Sequence, residues 1–261
     1  MKRLVVSIFA TAIAATPCIA HVSDQKIDEE DRRDAAKEHL KSSLTLSPYL
    51  WGPSLSGMAS LGPINAPVNL NLSELASGIK IGGMGHLQYN RENLFVYAEA
   101  IGARFGDPEF ATFGNQSVKT HAILLETGAG IHHRFEIDEN RSLEISPYAG
   151  VRYVELKAAI NGPLIITSGE NEWIDPVIGT IARFNLNDRW ALVGKADVAG
   201  LFITVNSYRN FALGLEHRVN SRLSFVGGYR STSGKFTADR GLTVDLDGNG
   251  PIVGLRYTLR N

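Results

Sequence analysis

H-A-I-L-L-E-T-G-A-G-I-H-H-R-F, residues 121–135, decides the fold. Its odd positions carry Ile123, Leu125, Thr127, Ala129, Ile131, His133 and Phe135. Its even positions carry Ala122, Leu124, Glu126, Gly128, Gly130, His132 and Arg134. Side chains alternate between the two faces of an extended chain. This stretch is therefore a strand with one face in an apolar medium and the other face mixing charge with glycine.

The same period recurs along the chain. In residues 44–51, Leu44, Leu46, Pro48 and Leu50 oppose Thr45, Ser47, Tyr49 and Trp51. In residues 142–153, Leu143, Ile145, Ala149, Val151 and Tyr153 oppose Glu144, Ser146, Tyr148, Gly150 and Arg152. In residues 251–260, Pro251, Val253, Leu255, Tyr257 and Leu259 oppose Ile252, Gly254, Arg256, Thr258 and Arg260. A-L-V-G-K-A-D-V-A-G-L-F, residues 191–202, sets Lys195 and Asp197 inside an apolar run. A bare buried ion is prohibitively costly. The two charges lie two residues apart and share a face, opposite Leu192, Gly194, Ala196 and Val198, so they point away from the apolar medium.

Connections are of two kinds. Residues 90–93, 137–142, 185–188 and 219–221 are tight and polar, as hairpin turns are. Between them lie residues 52–79, 106–117, 161–172, 204–207 and 237–250, long with one exception. In an up-and-down meander alternate connections share an end, so one end has short turns and the other mostly long loops. That asymmetry belongs to outer-membrane barrels, whose short turns are periplasmic. The expected fold is all-β, a transmembrane antiparallel up-and-down barrel of about ten strands. A hairpin within residues 52–79, if it joined the wall, would raise the count to about twelve.

The N-terminus reads as an export signal. Met1-Lys2-Arg3 is basic, Leu4–Thr16 is apolar, and Cys18 and Ala20 are small residues before a cleavage point. We expect residues 1–20 to be a signal peptide, 21–42 a charged N-terminal extension and 43–261 the barrel. The apolar stretch is short of the ~20 residues a helical span needs, and Pro17 argues against a lipoprotein reading of Cys18. Cleavage after Ala20 removes the single cysteine, leaving no disulfide framework. A net charge of -1 gives no basic surface for nucleic acid.

Alternation alone does not separate a membrane barrel from a soluble lipocalin-like one, in which the apolar face points inward. An export signal without disulfides fits the membrane, and an apolar face that continues over long strands without being confined to one sheet, together with aromatics near strand ends, favours it. Trp51, Tyr89, Phe135, Tyr153, Trp173, Phe184, Trp190, Tyr208, Phe211 and Tyr257 would then form the two interfacial girdles. The lumen-facing charges are Lys80, Glu99, Glu126, Arg134, Glu144, Arg152, Asp175, Arg183, Lys195, Asp197, Glu216, Arg218, Arg230 and Arg256. They have two readings. One is a structural polar core of cross-strand pairs filling a small barrel; the other is a conduction path whose charges set selectivity.

S-P-Y-L-W-G-P-S-L-S-G, L-N-L-S-E-L, M-G-H-L-Q-Y-N-R-E-N-L-F-V-Y-A-E-A, W-I-D-P-V-I-G-T-I-A-R-F-N-L and G-G-Y-R resemble a group of Gram-negative outer-membrane β-barrel proteins, over about residue 44 to the end. The resemblance implies the fold, an outer-membrane location and a porin-like or structural role. Outer-membrane lipid, lipopolysaccharide and the assembly machinery would be partners, with small solutes passing if the lumen is open. One departure is that the chain ends in Asn261, whereas such barrels commonly end in an aromatic residue recognised during assembly.

Enzymatic and metal-binding readings have little to stand on. His132 and His133 are adjacent and point to opposite faces, and His121 has no evident nucleophile partner. D-L-D-G-N-G, residues 245–250, is faintly like a calcium loop but lacks the full ligand spacing and terminal Glu. No catalytic residue, metal or cofactor is expected. A soluble periplasmic lipid- or ligand-binding barrel and an outer-membrane hydrolase of lipid A or peptides are the alternatives.

Overall fold

A computed structural model describes residues 42–61, 64–107, 117–161, 166–200, 207–237 and 242–260. The expectations for a signal peptide and a charged extension lie outside the described residues. The strands are β1 (Ser42–Trp51), β2 (Ser54–Leu61), β3 (Ile64–Leu70), β4 (Ile79–Arg91), β5 (Leu94–Asp107), β6 (Ser117–Ile131) and β7 (His133–Glu136). They continue with β8 (Ser142–Asn161), β9 (Ile166–Asn185), β10 (Trp190–Ala199), β11 (Ser207–Arg218), β12 (Leu223–Thr237) and β13 (Leu242–Arg260). One short helix, α1 (Leu72–Gly78), precedes β4.

The strands pair in the order β1-β4-β5-β6-β8-β9-β10-β11-β12-β13, and β13 returns to β1, closing an antiparallel barrel of ten staves. β7 prolongs β6 past an irregularity at His132 and pairs with β8. From β4 to β13 each stave pairs with the next stave along the chain, whereas the β2–β3 hairpin lies between β1 and β4 in sequence and pairs with neither. The β2–β3 hairpin pairs with β13 but takes no part in closure, so the count of twelve does not apply. β13 is shared: residues 252–260 pair with β1, and residues 242–249 pair with β2. Gly250 sits where the partner changes. A Cβ there would lie 2.0 Å from the Gly52 carbonyl oxygen, so only glycine lets the backbones pass.

Four short connections, residues 92–93, 137–141, 186–189 and 219–222, lie at the end where the barrel's own N- and C-terminal residues meet, Ser43 facing Arg260. Glu92 begins the first of these turns with φ 55°, unusual outside glycine and asparagine. In the second, Asp138 accepts from Arg141 Nε at 2.6 Å and from the Asn140 and Arg141 amides. The Arg141 guanidinium and then the Asn140 amide hold the Asp138 carboxyl below its ordinary range.

At the opposite end the structure corrects two expected loops. The β8–β9 ladder runs on to Asn161 facing Ile166, and the β12–β13 ladder to Thr237 facing Thr243. Residues 166–172, I-T-S-G-E-N-E, and 247–250, D-G-N-G, are rich in glycine and polar turn-forming residues, which hid these extensions as strands although Leu242, Val244 and Leu246 alternate with Thr243, Asp245 and Asp247. Residues 245–250 are accordingly extended strand, with Asp245 opposite Lys235 and Asp247 opposite Ser233, so they form no calcium-type loop.

Burial follows the alternation. Outward side chains such as Leu50 (66 % exposed), Ile174 (62 %) and Val253 (57 %) surround the wall, while their neighbours Tyr49, Asp175 and Ile252 are half-buried or buried. The buried side chains are mostly polar: Glu99, Glu126, Arg152, Asp175, Asp197, Glu216 and Arg230 are all shielded. A water-soluble barrel inverts this arrangement. Its large apolar side chains line the interior, because contiguous exposed apolar surface is costly in water.

Candidate functional site in the barrel lumen

The lumen is crossed at mid-height by one connected polar layer. Arg152 on β8 donates through Nε to Glu126 Oε2 on β6 at 2.8 Å, and its Nη2 bonds the same oxygen. Nη2 also reaches Asp197 Oδ1 on β10 at 2.9 Å. Tyr148 Oη and Asn210 Nδ2 donate to the other Asp197 oxygen, at 3.1 and 2.7 Å. Lys195 Nζ lies 2.7 Å from Glu99, 3.5 Å from Glu126 and 3.8 Å from Asp197. Arg230 on β12 donates to Asn210 at 2.7 Å and, at longer range, to Tyr49 Oη and Glu99, while Tyr49 donates to Glu99 at 2.6 Å. Tyr97 donates to Glu126 at 2.9 Å.

Three carboxylates thus meet three cations, each charge contacting at least one of opposite sign. β10 and β12 stand nearly opposite β5 in the strand order, so the Lys195–Glu99 and Arg230–Glu99 contacts bridge the lumen itself. Desolvating an ion costs several kcal/mol, and only good geometry with further hydrogen bonds repays it. The neutral donors Tyr49, Tyr97, Tyr148 and Asn210 supply those bonds. Aromatic rings pack the layer on both sides. Phe95, Tyr97, Tyr148, Val177 and Ala199 form a buried cluster, and the Arg152 guanidinium stacks 4.2 Å over Tyr208. Close approach is made possible by Gly130, where a Cβ would fall 2.5 Å from Phe95 Cζ.

Toward the turn end the lumen widens into a cavity of about 240 Å³, continued by a mouth of about 280 Å³. Arg183 holds Glu216 through both terminal nitrogens, at 2.6 and 2.9 Å, and Arg256 adds a bond at 3.3 Å. His132 bonds Ser146 and Asn90 and lies 3.3 Å from Glu144.

Of the charges expected in the lumen, Glu99, Glu126, Arg152, Lys195, Asp197 and Arg230 make up the cross-lumen layer. Glu144, Arg183, Glu216 and Arg256 line the cavity and its mouth. Asp175 is buried beside Arg152 in the β8–β9 register. Arg134 is corrected to the solvent-exposed rim, where it pairs with Glu136. Arg218 is solvent-exposed but lines the mouth, and it donates to the Asp188 carbonyl. The Lys80 side chain lies outside the described residues.

Three of the expected girdle aromatics are also corrected. Trp51 lies under the Arg230 guanidinium at 5.1 Å, Trp173 packs on Phe236 at 5.0 Å, and Tyr208 stacks on Arg152. All three face inward, because parity and not nearness to a strand end decides the face. Tyr89, Phe135, Trp190, Phe211 and Tyr257 are exposed on the outer surface. Tyr153 and Phe184 share the outward parity of Val151 and Ile178. Sequence reasoning missed Tyr49, Tyr97, Tyr148 and Asn210 as members of the polar layer; parity placed Tyr49 and Tyr148 inward, but nothing local marked them as bonding partners.

An apolar outer belt, a polar interior and short turns at the one end where the barrel's N- and C-terminal residues meet are the features of outer-membrane barrels. The chain has that architecture. No protein-family model matches it, and no curated protein matches it. Among solved structures, the outer membrane protease OmpT from Escherichia coli is similar at 10 % identity, covering 84 % of this chain and 97 % of that one, with a TM-score of 0.43. A major outer membrane protein from Thermus thermophilus is similar at 14 % identity, covering 84 % and 99 %, with a TM-score of 0.39. Ail, the attachment invasion locus protein of Yersinia pestis, is similar at 12 % identity, covering 85 % and 99 %, with a TM-score of 0.35. Likeness at this level carries no argument about activity, and the fold rests on the ladders above.

Proposed function

We propose that this protein is exported by its N-terminal signal to the Gram-negative outer membrane and serves there as a structural barrel closed by its own side chains, not as an open pore. The observation that supports the reading is the layer from Glu99 through Lys195, Glu126, Arg152 and Asp197 to Arg230, which bridges nearly opposite staves. A conduction path would have to part these contacts, and separated charges in a narrow lumen lose the pairing that offsets their desolvation. Acyl chains meet the outward leucines, isoleucines and valines, and lipopolysaccharide surrounds the loop end. The assembly machinery would read β13, which keeps its apolar alternation to Leu259.

The test is reconstitution into planar bilayers. The wild-type barrel should fractionate with outer membranes, migrate faster on gels before boiling than after, and show no stepwise current. The Glu99→Ala, Lys195→Ala double variant removes both sides of one bridge and should open steps in the same bilayers, which also proves insertion. Stable conductance steps from the wild-type protein would sink the closed-lumen reading.

A further inference from the structure

The cavity on the turn side of the polar layer is two-sided. Ile181 on β9, Val193 on β10, Ala212 on β11, Val226 on β12 and Ile252 on β13 come from five adjacent staves and make one apolar wall. The facing wall, from β1, β4 and β8, is polar, with Ser47, Gln88 and Ser146 among its members. The Lys195–Glu99 pair closes the cavity from above. One apolar wall with a few convergent polar groups is the usual lining of a small-molecule site, and at about 240 Å³, continuous with the mouth, the cavity suits a ligand of few atoms.

The mouth selects the sign of charge. Among its lining groups four guanidiniums, Arg183, Arg218, Arg222 and Arg256, face three carboxylates, Glu92, Glu144 and Glu216. Arg183 already holds Glu216 in a bidentate grip. Arg256 shares that carboxylate through a single bond at 3.3 Å, long for a charge-assisted contact, and a guanidinium carries five N–H donors. Of the two guanidiniums that line both the cavity and its mouth, Arg183 and Arg256, it is the one with donors to spare. Glu144 stands beside Arg183 in the register and lies 3.3 Å from His132.

We infer that this cavity binds a small organic carboxylate with an apolar body, entering from the turn end, its carboxylate on Arg256 and its apolar part against Ile181, Val193, Val226 and Ile252. The site needs the barrel and the cavity but not a sealed lumen. A barrel that conducts yet binds would overturn the closed-lumen reading and leave this one standing.

The experiment uses the mature full-length chain in lipid nanodiscs with isoleucine methyls labelled for NMR, titrated with phenylacetate. Ile181 and Ile252 report on the cavity; Ile174 and Ile178, on the lipid-facing surface, report on partition into the bilayer. Saturable shifts at Ile181 and Ile252, without saturable shifts at Ile174 and Ile178, are expected. Phenylacetamide, isosteric but neutral, should bind about tenfold or more weakly, the usual loss when a charge-assisted hydrogen bond goes. Arg256→Gln should cost phenylacetate a similar factor and leave phenylacetamide unchanged. Ala212→Leu, which fills the cavity from the wall, should abolish the shifts and keep the folded-gel mobility, so it carries the test if Arg256→Gln does not fold. Linear shifts at all four isoleucines, or equal affinity for the acid and its amide, would overturn the inference.

Discussion

Arg152 shows how a single residue comes to be fixed by its surroundings. It is 2 % exposed, bonds two carboxylates from two other staves and stacks on a tyrosine. Replacing it with Met keeps most of the volume but leaves Glu126 and Asp197 facing each other without their main cation. Removing one partner of a buried pair typically costs about 3–5 kcal/mol. Arg152→Met should therefore lower the midpoint of urea unfolding in lipid vesicles by a matching amount, and adding Glu126→Gln and Asp197→Asn should recover part of it. A loss below ~1 kcal/mol in the single variant would mean that the layer is far wetter than its burial indicates. That Arg152 points inward was legible from its parity with Glu144 and Tyr148. That it pairs with Asp197, forty-five positions away, was not, because which inward residues meet depends on stagger between non-adjacent staves.

At the scale of elements, alternation identified the strands wherever one face meets lipid. It failed at the start of β9 and the start of β13, where glycine and polar residues in 166–172 and 247–250 read as loops although Leu242, Val244 and Leu246 keep the alternation. Position along the strand also misled for Trp51 and Trp173, whose parity alone puts them inside. The first tight turn offers a check on local geometry. Glu92 holds φ 55° in a two-residue connection between β4 and β5, a conformation that costs a side chain with a Cβ roughly 1–2 kcal/mol and glycine little. Glu92→Gly should raise the unfolding midpoint, by up to ~1 kcal/mol once the added freedom of the unfolded glycine is deducted. A lower midpoint would show that the Glu92 side chain supplies something the backbone argument omits.

For the whole molecule, the two-residue period and the alternation of short with longer connections pointed to a barrel of about ten staves. They did not reveal that β13 changes partner at Gly250, since the sequence of a shared strand looks like that of any other. The sharing has a mechanical consequence. β1 is held by seven residue pairs on each side, whereas β8 and β9 share twenty. Hydrogen bonds along a ladder resist shear together but yield one after another when peeled. Under sideways load from a crowded membrane, the hoop would unzip first along β1, the thinnest stave in the cask, while the β8–β9 side stays whole.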